Sequence, residues 1–100
     1  MTREDEVYAA LAQVIDPEIG VNVVDLGLVY SVEIDAGGDI DVRMTLTIQG
    51  CPMHETIRAD ATRALQALPW ATRCKVELTF DPPWTPDRIS PRARVLLGVQ

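Results

Sequence analysis

One stretch constrains this chain more than any other. Ile40, Val42, Met44, Leu46 and Ile48 alternate with Asp41, Arg43, Thr45 and Thr47. That is the period of two of a half-buried strand. The run ends at Gly50-Cys51-Pro52, and the pattern then changes: Met53, Ile57, Ala61, Ala64, Leu65 and Leu68 fall on one face at helical spacing. Pro52 suits a first helical position, where its missing N–H costs nothing. The pattern predicts a strand over residues 40–48, a tight turn and a helix over residues 52–68, with Cys51 at the junction. Backbone N–H groups and the positive end of a helix dipole favour a thiolate there, the form that attacks electrophiles and binds metals. The alternative for Cys51 is a buried structural cysteine.

The remaining elements follow from similar signals. Thr2 and Asp5 form a capping-box pair before the stripe Val7, Leu11, Val14 and Ile15, predicting a helix over residues 3–14. Asp16-Pro17 ends it. Residues 16–27 do not alternate and read as an irregular loop that contains Asp16, Glu18 and Asp25. Substitution of Glu18 or Asp25 is therefore expected to leave the fold largely intact. Leu28, Tyr30, Val32 and Ile34 predict a strand, Asp35-Ala36-Gly37-Gly38-Asp39 a hairpin turn, and Cys74, Val76, Leu78 and Phe80 a third strand. On that strand Cys74 reads as core filler. Asp81-Pro82-Pro83-Trp84 makes a stiff loop, in which Trp84 either pins the loop to the core or meets a partner. Ser90-Pro91 and Gly98 bracket a short last helix.

The expected fold is α+β, a two-layer sandwich in one domain over residues 1–100. Its order is helix, strand, strand, helix, strand, short helix, with the helices packed on a small mixed sheet. A crossover helix between the second and third strands favours a parallel pairing there. Hydrophobic residues make up 47% of the chain, which argues against a disordered polypeptide. A net charge of −6 without a Lys/Arg cluster argues against nucleic acid as a partner. No run of eighteen apolar residues occurs, and the acidic start is unlike a secretory signal, so a cytoplasmic protein without a membrane anchor is expected. Two cysteines in such a chain are poor evidence for a disulfide and do not make a four-ligand zinc pattern.

Four motifs stand in order: Asp16-Pro17-Glu18, Val24-Asp25-Leu26-Gly27-Leu28-Val29, Met44-Thr45-Leu46-Thr47 with Gly50-Cys51-Pro52, and Asp81-Pro82-Pro83-Trp84. Together they resemble the small iron–sulfur cluster assembly domain family that includes SufT-like and PaaD-like proteins. The resemblance runs from about Val7 to Gly98. It implies an α/β domain in cytosolic iron–sulfur protein maturation, with Cys51 as the principal functional residue. It places Asp16, Glu18, Asp25 and Thr47 around that thiol. Ile48 departs from the Thr or Ser that the family often has there. The chain lacks the cysteine-rich extension of PaaD-like members and a fused nucleotide-binding domain, which points to the free-standing SufT-like branch.

A stable iron–sulfur cluster usually takes four thiolates, and this chain has two cysteines. Any cluster on Cys51 is therefore expected to be transient, held across a homodimer or between this protein and an assembly partner or client apoprotein. His54 follows Cys51 by three residues and reads either as a site residue or as a polar residue near a helix start. Two other classes of function stay open on the residues alone. One is a non-catalytic adaptor that uses the Pro-Pro-Trp loop. The other, ranked lower, is a cysteine-nucleophile enzyme with His54 as its base.

Overall fold

The computed structural model describes residues 2–17, 19–46 and 54–98. Cys51, Thr47 and Glu18 lie outside the described residues, as does the side chain of His54.

Helix α1 spans Arg3–Leu11. Its capping box is formed: Thr2 Oγ1 accepts from the Asp5 N–H at 3.0 Å, and the Thr2 N–H donates to Asp5 Oδ2 at 3.2 Å. The helix stops three residues short of the expected end. The Gln13 and Val14 N–H groups bond back only to Ala10 and Leu11, the tighter spacing of a fraying last turn.

Strands β1 (Val29–Ile34) and β2 (Ile40–Met44) form the hairpin, and β3 (Cys74–Leu78) lies parallel to β2 on its other side. The three-stranded sheet thus has β2 in its centre. Asp35 Oδ1 holds the turn by accepting from the Gly37 and Asp39 N–H groups, both at 2.9 Å. At Gly38, φ is +92°, and a Cβ there would collide with the Trp70 carbonyl oxygen. On β2, Ile40, Val42 and Met44 are buried while Asp41 and Arg43 are exposed, so the period of two is realised. Each of those buried side chains contributes about 1.5–3 kcal/mol.

β1 departs from simple alternation. Val29 pairs with Met44 and Ser31 with Arg43, so Tyr30 is an extra residue in a β-bulge. β2 ends at Met44, sooner than the alternation predicts, and β3 ends at Leu78.

Helix α2 spans His54–Gln66 and crosses from β2 to β3. Ile57, Ala61 and Leu65 are at most 1% exposed and face Val7 and Leu11 of α1 in one core with β2. Surface pairs Arg58–Glu55 and Arg63–Asp60 decorate its outer side, where exposed ion pairs add little. A 3₁₀ turn, Pro86–Arg88, precedes α3, Pro91–Leu97. Ser90 Oγ caps α3 by accepting from the Ala93 N–H at 3.2 Å, and Gly98 closes it with φ +71°. Among the described residues no helix is long and apolar enough to cross a membrane.

Candidate functional site

The loop between α1 and β1 is built by backbone bonds. The Val23 N–H donates to the Val14 carbonyl at 2.9 Å, and the Leu28 N–H to the Val23 carbonyl at 3.0 Å. Apolar Val21, Val23, Leu26 and Leu28 then point into the core, which anchors a stretch that lacks any simple period. Asp16 is buried here, 4% exposed, and its carbonyl accepts from the Gly20 N–H at 2.7 Å. The Thr45 N–H donates to the Leu28 carbonyl at 2.8 Å, joining this loop to the end of β2, from which the chain runs on towards Cys51.

Asp25 is held on several sides. Its Oδ2 accepts from Asn22 Nδ2 at 2.7 Å and lies 3.3 Å from Arg92 Nη2. Its Oδ1 accepts from Ser90 Oγ at 3.2 Å, and its carbonyl accepts from the Ser90 N–H at 2.7 Å. The Asp25 N–H in turn donates to Asn22 Oδ1 at 2.9 Å. This one residue ties the loop to the cap of α3. Placement in a loop therefore does not make Asp25 dispensable to the fold, and the expectation of a structurally neutral substitution is revised. The sequence pattern does not mark Asn22 or Ser90 as its partners. The Asn-x-x-Asp spacing was the available signal for the first.

The Pro-Pro-Trp segment folds over the same loop. Trp84 Nε1 donates to the Leu26 carbonyl at 2.7 Å, and Tyr30 Oη donates to the Pro82 carbonyl at 2.7 Å. The Asp81–Pro82 peptide is cis. The Arg88 guanidinium sits 4.6 Å from the Tyr30 ring centroid, a cation–π contact. Of the two roles open to Trp84, the structure fills that of pinning the loop. Two of the sequence motifs, residues 24–29 and 81–84, thus meet in space.

Thr45 adds an anomaly. Alternation along β2 puts it on the side of Asp41 and Arg43, yet it is fully buried. Its hydroxyl has no hydrogen-bond partner among the described residues. The Tyr30–Pro82 bond brings residues 81–85 to this end of the sheet, where Val29 pairs with Met44. An orphaned buried hydroxyl costs about 1–3 kcal/mol. Thr45→Val keeps the shape and removes the hydroxyl, so it should raise the unfolding free energy by about 1 kcal/mol. Urea titration checks this; a loss of stability would mean that the hydroxyl has a partner.

Cys74 opens β3 opposite Ile40 and is half-buried. Burial pushes its thiol above the ordinary value, and the Asp39 carboxylate adds to the shift. A raised pKa keeps the thiol protonated and weakly nucleophilic at neutral pH. Alkylation of Cys74 in the folded Cys51→Ser variant should therefore rise only at a pH above that of a free cysteine. A rate like that of a free thiol would contradict the placement. Among the described residues, no three His, Cys, Asp or Glu side chains are grouped to hold a metal ion.

An antiparallel hairpin, a crossover helix to a parallel third strand, and a loop strapped down by an aromatic define a small α+β domain. The chain belongs to the iron–sulfur cluster assembly protein family, whose model matches residues 4–78. It is 42% identical over 97 residues to the Fe-S protein maturation auxiliary factor YitW of Bacillus subtilis, covering 97% of this chain and 95% of that protein. It is 44% identical over 86 residues to the Fe-S protein maturation auxiliary factor SufT of Staphylococcus aureus, covering 86% and 98%. The crystal structure of a domain of unknown function from Bacillus anthracis superposes with a TM-score of 0.92 at 40% identity, over 97% of this chain and 92% of that one.

Proposed function

We propose that this protein is an iron–sulfur protein maturation factor that assists cluster transfer or insertion into client proteins, with Cys51 as the thiol that meets the cluster. The observation that carries this reading is full-length kinship with proteins named as Fe-S protein maturation auxiliary factors. The cluster is cargo in this reading. Burial raises the pKa of Cys74, the second of two cysteines, so Cys51 is the thiol proposed to meet the cluster. One thiolate can engage a cluster at an exposed iron but cannot enclose it, which favours release over retention. Such a protein acts by binding and handing on rather than by turning over a substrate. Its partners are iron–sulfur assembly proteins and client apoproteins, and its setting is the cytoplasm.

Asp16, Glu18, Asp25, Thr47 and His54 are proposed to line the approach to Cys51. Asp25 does so through the loop that it fixes. The hydrogen bond from Trp84 to Leu26 weighs against an adaptor that offers this tryptophan to partners.

The test is complementation in cells that lack the endogenous relative, with the activity of iron–sulfur enzymes as the readout. Cys74→Ser should restore that activity and Cys51→Ser should not. Full restoration by Cys51→Ser would end the thiol-based reading.

A further inference from the structure

β3 lies at one margin of the sheet, with β2 on its inner side. The ladder between them uses the odd-numbered residues. The Arg73 carbonyl accepts from the Ile40 N–H at 2.7 Å, and the Thr79 N–H donates to the Met44 carbonyl at 2.9 Å. Along a strand the backbone groups alternate sides, so the N–H and C=O groups of Cys74, Val76 and Leu78 point outward. Among the described residues no hydrogen bond reaches them. Such an edge is a template for one more strand.

The side chains of β3 decide which strand fits. Lys75 and Glu77 stand on the open face of the sheet, their side chains 67% and 44% exposed. Val76 between them is committed to the core and offers a partner its backbone alone. A second β3 laid antiparallel along this edge and centred on Val76 puts Lys75 opposite the partner's Glu77, and Glu77 opposite the partner's Lys75. Hydrogen bonding agrees with that register. Val76 and the partner's Val76 exchange both N–H···O bonds, as do Cys74 and the partner's Leu78. Lys75 and the partner's Glu77 then form a non-hydrogen-bonded pair, the kind in which opposite side chains come closest.

Lysine on an edge strand ordinarily discourages pairing. Here the order Lys-Val-Glu makes the strand complementary to itself. Glu77 already lies 3.6 Å from Lys75 and 3.9 Å from Arg43. Both contacts are exposed and longer than a hydrogen bond, so the new pairs add to them and displace nothing. Cys74 and Leu78 are half-buried at the same edge, and a second strand covers what they leave exposed.

We propose that two copies associate through β3, edge to edge and antiparallel, with a two-fold axis at Val76. The contact is isologous and closes at two copies. The proposal is independent of the Cys51 chemistry.

Sedimentation velocity on the full chain over a concentration series tests it, together with amide hydrogen exchange at low and high concentration. Wild type should form a dimer. The Val76 amide should exchange more slowly as the dimer fills, while the Lys75 and Glu77 amides, which belong to the β2 ladder, stay protected throughout. Lys75→Glu and Glu77→Lys each set like charges opposite one another twice per dimer, so each should associate about tenfold more weakly. Both side chains are exposed, so both variants should melt as folded proteins. Mixed one to one, the two variants should recover wild-type affinity, because every charge then faces its opposite. A wild type that stays monomeric at every concentration would overturn the proposal. So would a dimer in which Val76 exchange is unchanged, or a mixture that associates no more tightly than its parts.

Discussion

Gly27→Ala should lower the unfolding free energy by about 2–5 kcal/mol, enough to leave a domain of this size largely unfolded at physiological temperature. Two independent effects add. Gly27 has φ +75°, a backbone region that costs a residue with a Cβ about 1–3 kcal/mol. A Cβ there would also lie 2.6 Å from Arg88 Cβ and collide with the Arg88 carbonyl oxygen. The Arg88 backbone has little room to retreat, because its guanidinium is on Tyr30 and the next residues lead into Ser90, which is bonded to Asp25. Replacing the glycine of the Asp-Leu-Gly motif should therefore loosen residues 81–92 first. Chemical denaturation gives the free energy, and Trp84 fluorescence reports on the strap. A variant as stable as wild type would show that the strap is not packed on Gly27.

Asp25→Ala is expected to cost about 2 kcal/mol, most of it from partly buried hydrogen bonds, since Arg92 is largely solvated. It removes the acceptor for Asn22 Nδ2 and Ser90 Oγ and leaves the Arg92 guanidinium without its partner. The Asp25 side chain is 19% exposed, so water replaces these partners poorly. Asp25→Asn should lose less, because an amide oxygen still accepts from Ser90 while the charge for Arg92 is gone. The ordering wild type, Asn, Ala in urea midpoints checks this. Equal stability of all three would reduce Asp25 to a residue of the site alone, which was the expectation from sequence.

The contrast shows what a sequence can carry. β2, β3 and α2 were legible because burial on one face leaves a period, and Ile40, Val42, Met44, Ile57, Ala61 and Leu65 keep it. The parallel pairing of β2 and β3 followed from the crossover helix. The bulge at Tyr30 was not legible, since Leu28, Tyr30, Val32 and Ile34 imitate an unbroken strand. The length of α1 was overread because Val14 prolongs the apolar stripe although the backbone has already left the helix. Loop 14–28 is organised by backbone bonds and by Asp25, whose partner Ser90 is 65 residues away. Bonds of that kind leave no periodic trace. The proximity of motifs 24–29 and 81–84 likewise leaves no trace in the sequence, since it depends on the bond from Trp84 to the Leu26 carbonyl. Around Cys51 the reading rests on the strand–turn–helix pattern and on the family, since Glu18, Thr47 and Cys51 lie outside the described residues.

The most direct measurement is cluster transfer in the absence of oxygen. The protein is reconstituted with iron and sulfide, its absorption spectrum and mass are recorded, and it is then mixed with an apo-ferredoxin or with a chelator. A maturation factor with one working thiolate per chain should load a cluster that chelator strips readily and that passes to the apo-ferredoxin, and Cys51→Ser should load none. A chelator-resistant cluster on a monomer, or transfer that proceeds unchanged in Cys51→Ser, would contradict the account.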